Sequence, residues 1–207
     1  MSTEQTPAAS TSELALGFSD PVREAQATFK AVMWAVSRPG HRMPLATNLK
    51  PPAPLTPEMA ALALALADYE TPLWLDPMLA KHKGVADFLR FHTGAPITDD
   101  PAAARFALVR EPGNLPPFTD FAQGIPEYPD RSTTLILAVT MLSDAPFTLE
   151  GPGIKSTRSF GATPLPADFA TRWADNRLLF PLGVDLLFTT SGLVSALPRS
   201  TRITAEA

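Results

Sequence analysis

Asp185, Arg199, His92, Arg131 and Glu127 are the side chains of this sequence whose type and setting could carry chemistry. Asp185 lies in the run from Phe180 to Ile203, FPLGVDLLFTTSGLVSALPRSTRI, where Leu182, Val184, Leu186 and Phe188 alternate with Gly183, Asp185, Leu187 and Thr189. That alternation predicts a strand, Ser191-Gly192 a turn, and Leu193 the start of a returning strand. A carboxylate among apolar residues is costly unless it is paired, hydrogen-bonded or kept wet by a binding site. Arg199 and Arg202 are the nearest cations, and an antiparallel return would bring Leu197 to Arg199 within reach of Asp185. Asp185 is therefore either a structural partner of an arginine or a group that faces a ligand.

The second candidate cluster is Glu127-Tyr128-Pro129-Asp130-Arg131-Ser132, read as a loop just before the apolar run STTLILAVTML. Loop residues in that position often line active sites. Glu127 and Asp130 have acid-base capacity, and a guanidinium such as Arg131 can grip a phosphate or phosphonate oxygen pair bidentately. The same residues also suit an ordinary turn with an ion pair. His92 follows Arg90 and precedes Thr93-Gly94, a setting that fits a helix end as well as a site. Gly151-Pro152-Gly153 reads as a turn, with anion binding by its amides as the alternative.

Several chemistries have no carrier. There is no GxxxxGK[ST] loop, no strand-coupled GxGxxG, and His41, His82 and His92 match no metal-binding spacing. No metal is expected. With no cysteine, the chain offers no disulfide, thiolate nucleophile or cluster ligand. A net charge of -4 gives no electrostatic reason to expect nucleic acid or an acidic membrane.

These residues need elements to hold them. The 23 prolines, about twice the usual share, divide the chain into short pieces. Asp20-Pro21 is a helix start, after which Val22, Ala25, Phe29, Met33 and Val36 recur on one face until Arg38-Pro39-Gly40. Thr56-Pro57 starts another helix, whose run Met59 to Asp68 is apolar nearly all round and hence buried. Thr71 to Leu75 and Phe106 to Val109 read as short strands, and Gly84 to His92 as an amphipathic helix with Val85, Phe88 and Leu89 inward. Ser132 to Leu142 reads as a central strand covered on both faces, with Phe147 to Leu149 as its neighbour. Pro166 to Arg177 looks helical around Phe169, Trp173 and Leu178. Helices and at least five strands, mixed along the chain, predict an α/β sandwich with a mixed sheet. One domain over 16–207 is expected, with 1–15 as a disordered polar tail. That tail has neither a basic start nor an apolar run, so the cytoplasm is the simplest location.

FPLGVDL and ALPRST, together with ADYETPLWL (Ala67 to Leu75), FHTGAP (Phe91 to Pro96) and LEGPGI (Leu149 to Ile154), resemble the PhnH family, the H subunits of the bacterial carbon–phosphorus lyase system. The match runs from about Gly17 to Ile203. The resemblance implies a three-layer α/β/α sandwich like the large domain of pyridoxal-phosphate-dependent transferases, but without that cofactor. Lysines 30, 50, 81, 83 and 155 agree, since none sits in a compelling strand-to-loop setting for a Schiff base. It also implies a homodimer, partnership with the G, I and J subunits of a core complex, and a part in the step that displaces adenine from ATP by an alkylphosphonate. Contact with alkylphosphonate or ATP would then occur within that complex.

Overall fold

The computed structural model describes residues 14–205. Residues 1–13, most of the expected tail, lie outside the described residues. Helix α1 (Pro21–Ser37) begins as its sequence requires, with the Asp20 carboxylate accepting from Arg23 N at 3.1 Å and Pro21 in the first turn. Its inner face is Thr28, Val32 and Ala35, whereas Phe29, Met33 and Val36 of the apolar periodicity are exposed. Small residues face inward, which lets α1 approach its neighbours closely and leaves its bulky residues outside.

After β1 (Met43–Pro44) comes α2 (Pro57–Leu66), capped by Thr56 and buried from Met59 to Ala63. Then follow β2 (Leu73–Leu75), the single turn α3 (Pro77–Ala80), α4 (Lys83–Thr93), β3 (Ile97–Thr98) and β4 (Phe106–Val109). Val85, Phe88 and Leu89 are the buried residues of α4, as its periodicity predicts. The rest of the chain gives β5 (Gln123–Ile125), β6 (Tyr128–Ser132), β7 (Thr134–Ala138), β8 (Met141–Glu150), β9 (Arg158–Thr163), α5 (Phe169–Leu178), β10 (Asp185–Thr190), β11 (Leu193–Leu197) and β12 (Arg202–Ala205).

The central sheet has seven strands in the order β1-β11-β10-β7-β4-β2-β3. From β10 to β3 neighbours run parallel, while β10 and β11 form the expected antiparallel hairpin and β1 pairs antiparallel with β11. The sheet is thus mixed. In β7, Ile136 and Ala138 face a core with α1, α2 and α4, and Leu135 and Leu137 face a second core with α5 and the three-stranded sheet β12-β8-β9. Burial on both faces explains why this strand is continuously apolar. The far layer combines α5 with that small sheet, packed through Phe147, Phe160, Phe169 and Trp173. Among the described residues, no helix is long and apolar enough to cross a membrane.

Four further expectations change. The run Ser132 to Leu142 is not one strand: only Thr134–Ala138 enters the central sheet, while Ser132 ends β6 and Met141 opens β8. Thr133 breaks the run by donating its hydroxyl to Ala104 O at 2.7 Å, and Thr140 by bonding Thr163 O through both N–H and hydroxyl. Phe147 to Leu149 belongs to β8 in the small sheet. The polar stretch taken as a loop is mostly strand, since Tyr128–Ser132 pairs with β5 as a separate hairpin. Leu178, grouped with Phe169 and Trp173, is exposed.

Candidate functional site

The hairpin register pairs Leu186 with Leu197, so the chain beyond Leu197 passes Asp185. Asp185 Oδ1 accepts from Arg199 N at 2.7 Å and from Arg199 Nε at 3.1 Å. Its Oδ2 accepts from Nε at 3.1 Å and from Nη2. Arg199 Nη1 donates to Pro129 O at 2.8 Å and Pro181 O at 3.3 Å, and Nη2 donates also to Ser132 Oγ. The arginine side chain is 14% exposed and the aspartate 28%. Every nitrogen of the Arg199 guanidinium is therefore engaged, and the pair ties the hairpin to β6 and to the segment before β10. Arg202 takes no part, pairing instead with Glu150 at the surface.

The approach to Asp185 is built by a residue that sequence reading did not single out. Asn176 in α5 donates Nδ2 to Val184 O at 3.0 Å and accepts from Val184 N at 2.8 Å. Gly183 has φ +107°, and a Cβ there would sit 2.8 Å from Asn176 Oδ1, so the glycine is required by both backbone and neighbour. A buried polar residue spaced three after Trp173 was the available signal.

Three adjoining cavities open at the amino ends of β4, β7 and β10. One of about 480 Å³ has Glu70, Arg105, Gln123 and Arg131 in its walls. A second, about 400 Å³, shares Glu70, Arg105 and Arg131 with it and adds Asp130 and Ser132. The third, about 460 Å³, shares Leu66, Phe106 and Thr134 with the second and reaches Asp185, Arg199 and the apolar Val36 and Phe180. The first two carry charged side chains of both signs in their walls, and the third is mostly apolar.

Ligands in open α/β sheets usually bind outside the carboxyl ends of the strands. Here that end carries Asp76, which is 3% exposed and accepts from Leu79 N at 2.9 Å, Arg110 N at 2.7 Å and Glu111 N at 2.9 Å. These bonds close the turns after β2 and β4 with a fully used carboxylate.

The sequence candidates therefore separate. Asp185, Arg199 and Arg131 lie along the connected cavities. Glu127 is exposed in the β5–β6 turn and lines none of the cavities described above. His92 is elsewhere, with Nε2 bonded to Ala15 O at 2.9 Å and its ring edge-on to Phe88 and Phe91. That contact holds the start of the described chain, including Ala15 from the stretch expected to be tail, against α4. Arg105 was not anticipated; its signal was its position just before a strand, equivalent to that of the polar residues before β7.

The family model described as bacterial phosphonate metabolism protein (PhnH) matches residues 16–204. The chain belongs to the PhnH family. It is also similar to alpha-D-ribose 1-methylphosphonate 5-triphosphate synthase subunit PhnH of Rhizobium meliloti (strain 1021), 43% identical over 190 residues that cover 91% of this chain and 94% of that protein. Both the Arg199 lock and the Arg105–Arg131 wall fall inside the PhnH match. So do the segments that carried the resemblance, two of which form tight chain turns. FHTGAP ends α4 at Gly94 with φ +73°, and Thr93 Oγ1 caps by donating to Leu89 O and accepting from Ala95 N. LEGPGI turns tightly, with Gly153 so close to α1 that a Cβ would lie 2.3 Å from Ser37 O.

Proposed function

We propose that this PhnH-family chain is a non-autonomous subunit of the carbon–phosphorus lyase core complex in alkylphosphonate catabolism. In this reading it supports the transfer of an alkylphosphonate to the ribose C1 of ATP. A phosphonate oxygen forms the new bond to C1, the bond from C1 to adenine breaks, and adenine leaves with a proton. The 43% identical relative, named as a subunit of such a synthase, supports the assignment. The structural observation that carries the non-autonomous part is the outward apolar face of α1. Phe29 is 51% exposed and Met33 53%, with Trp34 and Val36 beside them, and Phe180 stands across the third cavity from Val36. Apolar surface of this kind is the material of docking faces. The G, I and J subunits are the partners of this reading, with a homodimer for the isolated chain, cytoplasmic location, and no turnover alone.

A second reading, a stand-alone α/β protein that binds a small molecule or phosphate ligand without catalysis, is favoured by the connected cavities. One assay separates the two. Purified chain is incubated with ATP and methylphosphonate, alone and with the G and I subunits, and released adenine is measured. Release is expected only when all are present. Adenine release by the chain alone, or undiminished release by partners without it, overturns the reading.

A further inference from the structure

We propose that the amino ends of β4 and β7 form a binding site for the phosphate or phosphonate group of a hydroxylated small molecule, with Arg105 and Arg131 gripping the oxyanion. The site deepens the functional reading above, on which it rests for the identity of its natural ligand. Arg131 lines the first two cavities, and its guanidinium lies 4.2 Å from the Tyr128 ring centroid. Stacking holds the guanidinium plane and leaves its N–H edges free. Among the described residues this side chain makes no hydrogen bond and no ion pair. Arg105 lines the same two cavities and uses Nη1 on the backbone carbonyl of Arg131, which fixes one arginine relative to the other. Five N–H donors on each guanidinium leave most of this wall unsatisfied by protein. Paired guanidiniums with free edges suit the oxygens of a tetrahedral oxyanion, which they can hold bidentately.

The carboxylates in the same walls narrow the ligand class. Glu70 and Asp130 carry no ion pair among the described residues, so they do not neutralise the arginines through direct contact. A bare anion gains nothing from them. A molecule with hydroxyl donors beside its charged group would use both kinds of wall, the arginines for its oxyanion and the carboxylates for its hydroxyls. Arg199, by contrast, has no free nitrogen to offer.

The test is calorimetric titration of the full chain with ribose 5-phosphate, with ribose and inorganic phosphate as separate probes. Saturable binding of ribose 5-phosphate is expected, weaker by roughly tenfold or more in Arg131→Met and in Arg105→Met, since each removes a charge-assisted contact. Ribose alone should not bind, and Arg131→Lys should fall between wild type and Arg131→Met. No saturable binding to the wild-type chain, or wild-type affinity in both methionine variants, overturns the proposal. Inorganic phosphate binding as tightly as ribose 5-phosphate overturns the part given to Glu70 and Asp130. Should Arg105→Met fail to fold, the exposed Arg131 still decides the matter. The assay contains neither ATP nor partner subunits. A chain that binds the probe yet is dispensable for adenine release defeats the functional reading alone, and a required chain that does not bind defeats only the site.

Discussion

Arg199 and Arg131 stand at the same end of the central sheet, on walls of adjoining cavities, and differ in what the protein has done with their nitrogens. Arg199 is held by the Asp185 carboxylate, the Pro129 and Pro181 carbonyls and the Ser132 hydroxyl. Arg131 has an aromatic face beneath it and open space in front. The first joins the β10–β11 hairpin to β6 and is part of what holds the fold; the second is left for something outside it. Position near a cavity does not separate the two, whereas the count of engaged donors does.

The largest effect expected from breaking this comparison is at Asp185. Asp185→Ala would leave a mostly buried guanidinium without its counter-charge and Arg199 N without its acceptor. Loss of one partner from such a pair costs about 3 to 5 kcal/mol. Urea unfolding of the variant should show that loss with an unchanged slope. Asp185→Leu combined with Arg199→Met, which removes both charges, should recover much of it. Unchanged melting of Asp185→Ala together with lost growth on a phosphonate would move Asp185 from the structural side of the comparison to a ligand or partner surface.

Much of the structural side was legible in the sequence because it is written in local rules. The period-two pattern from Leu182 and the Ser191-Gly192 turn predict the hairpin and put Arg199 within reach of Asp185. Asp20-Pro21 and Thr56-Pro57 mark two helix starts for the same reason. What stayed hidden depends on contacts between distant segments. The outward turn of Phe29 and Met33 follows from Thr28, Val32 and Ala35 being the side that fits closely against the core, and periodicity cannot say which side is which. The division of the run Ser132 to Leu142 among three strands depends on Ala104 and Thr163, far away in the chain. The position of Arg105 just before a strand was visible, but its place beside Arg131 comes from the parallel register of β4 and β7, which pairs Phe106 with Thr134.

A third region sharpens the contrast, since there two arginines act on a histidine. His41 is partly buried near Arg158 and Arg38, and burial first, then the charges of Arg158 and Arg38, lower its pKa below the ordinary 6.5. The unfolded chain then binds more protons than the folded one between the lowered value and 6.5. Stability should therefore rise with pH through that window and fall as pH drops through it, the reverse of a histidine paired with an acid. Urea midpoints compared at about pH 5 and about pH 8 should show a larger difference in wild type than in His41→Gln. An equal difference in both would mean that the Arg38–Arg158 surroundings leave this imidazole free to charge.

The smallest expected effect tests the comparison from its open side. Arg131→Met keeps an unbranched apolar side chain and removes the guanidinium stacked on Tyr128, which no carboxylate or carbonyl of the described residues engages. The fold should lose only the exposed stacking term, about 0.5 kcal/mol. Thermal unfolding of Arg131→Met beside Asp185→Ala reads both sides in one experiment. A cost at Arg131 as large as that at Asp185 would make it a second structural arginine, its donors engaged in solution, and would erase the distinction between the two ends of the crevice. A near-neutral melting point, together with weakened oxyanion binding, is the combination that a purely structural residue cannot give. It would place the free energy of this guanidinium in the contact with a ligand, because the folded chain gains almost nothing from holding it.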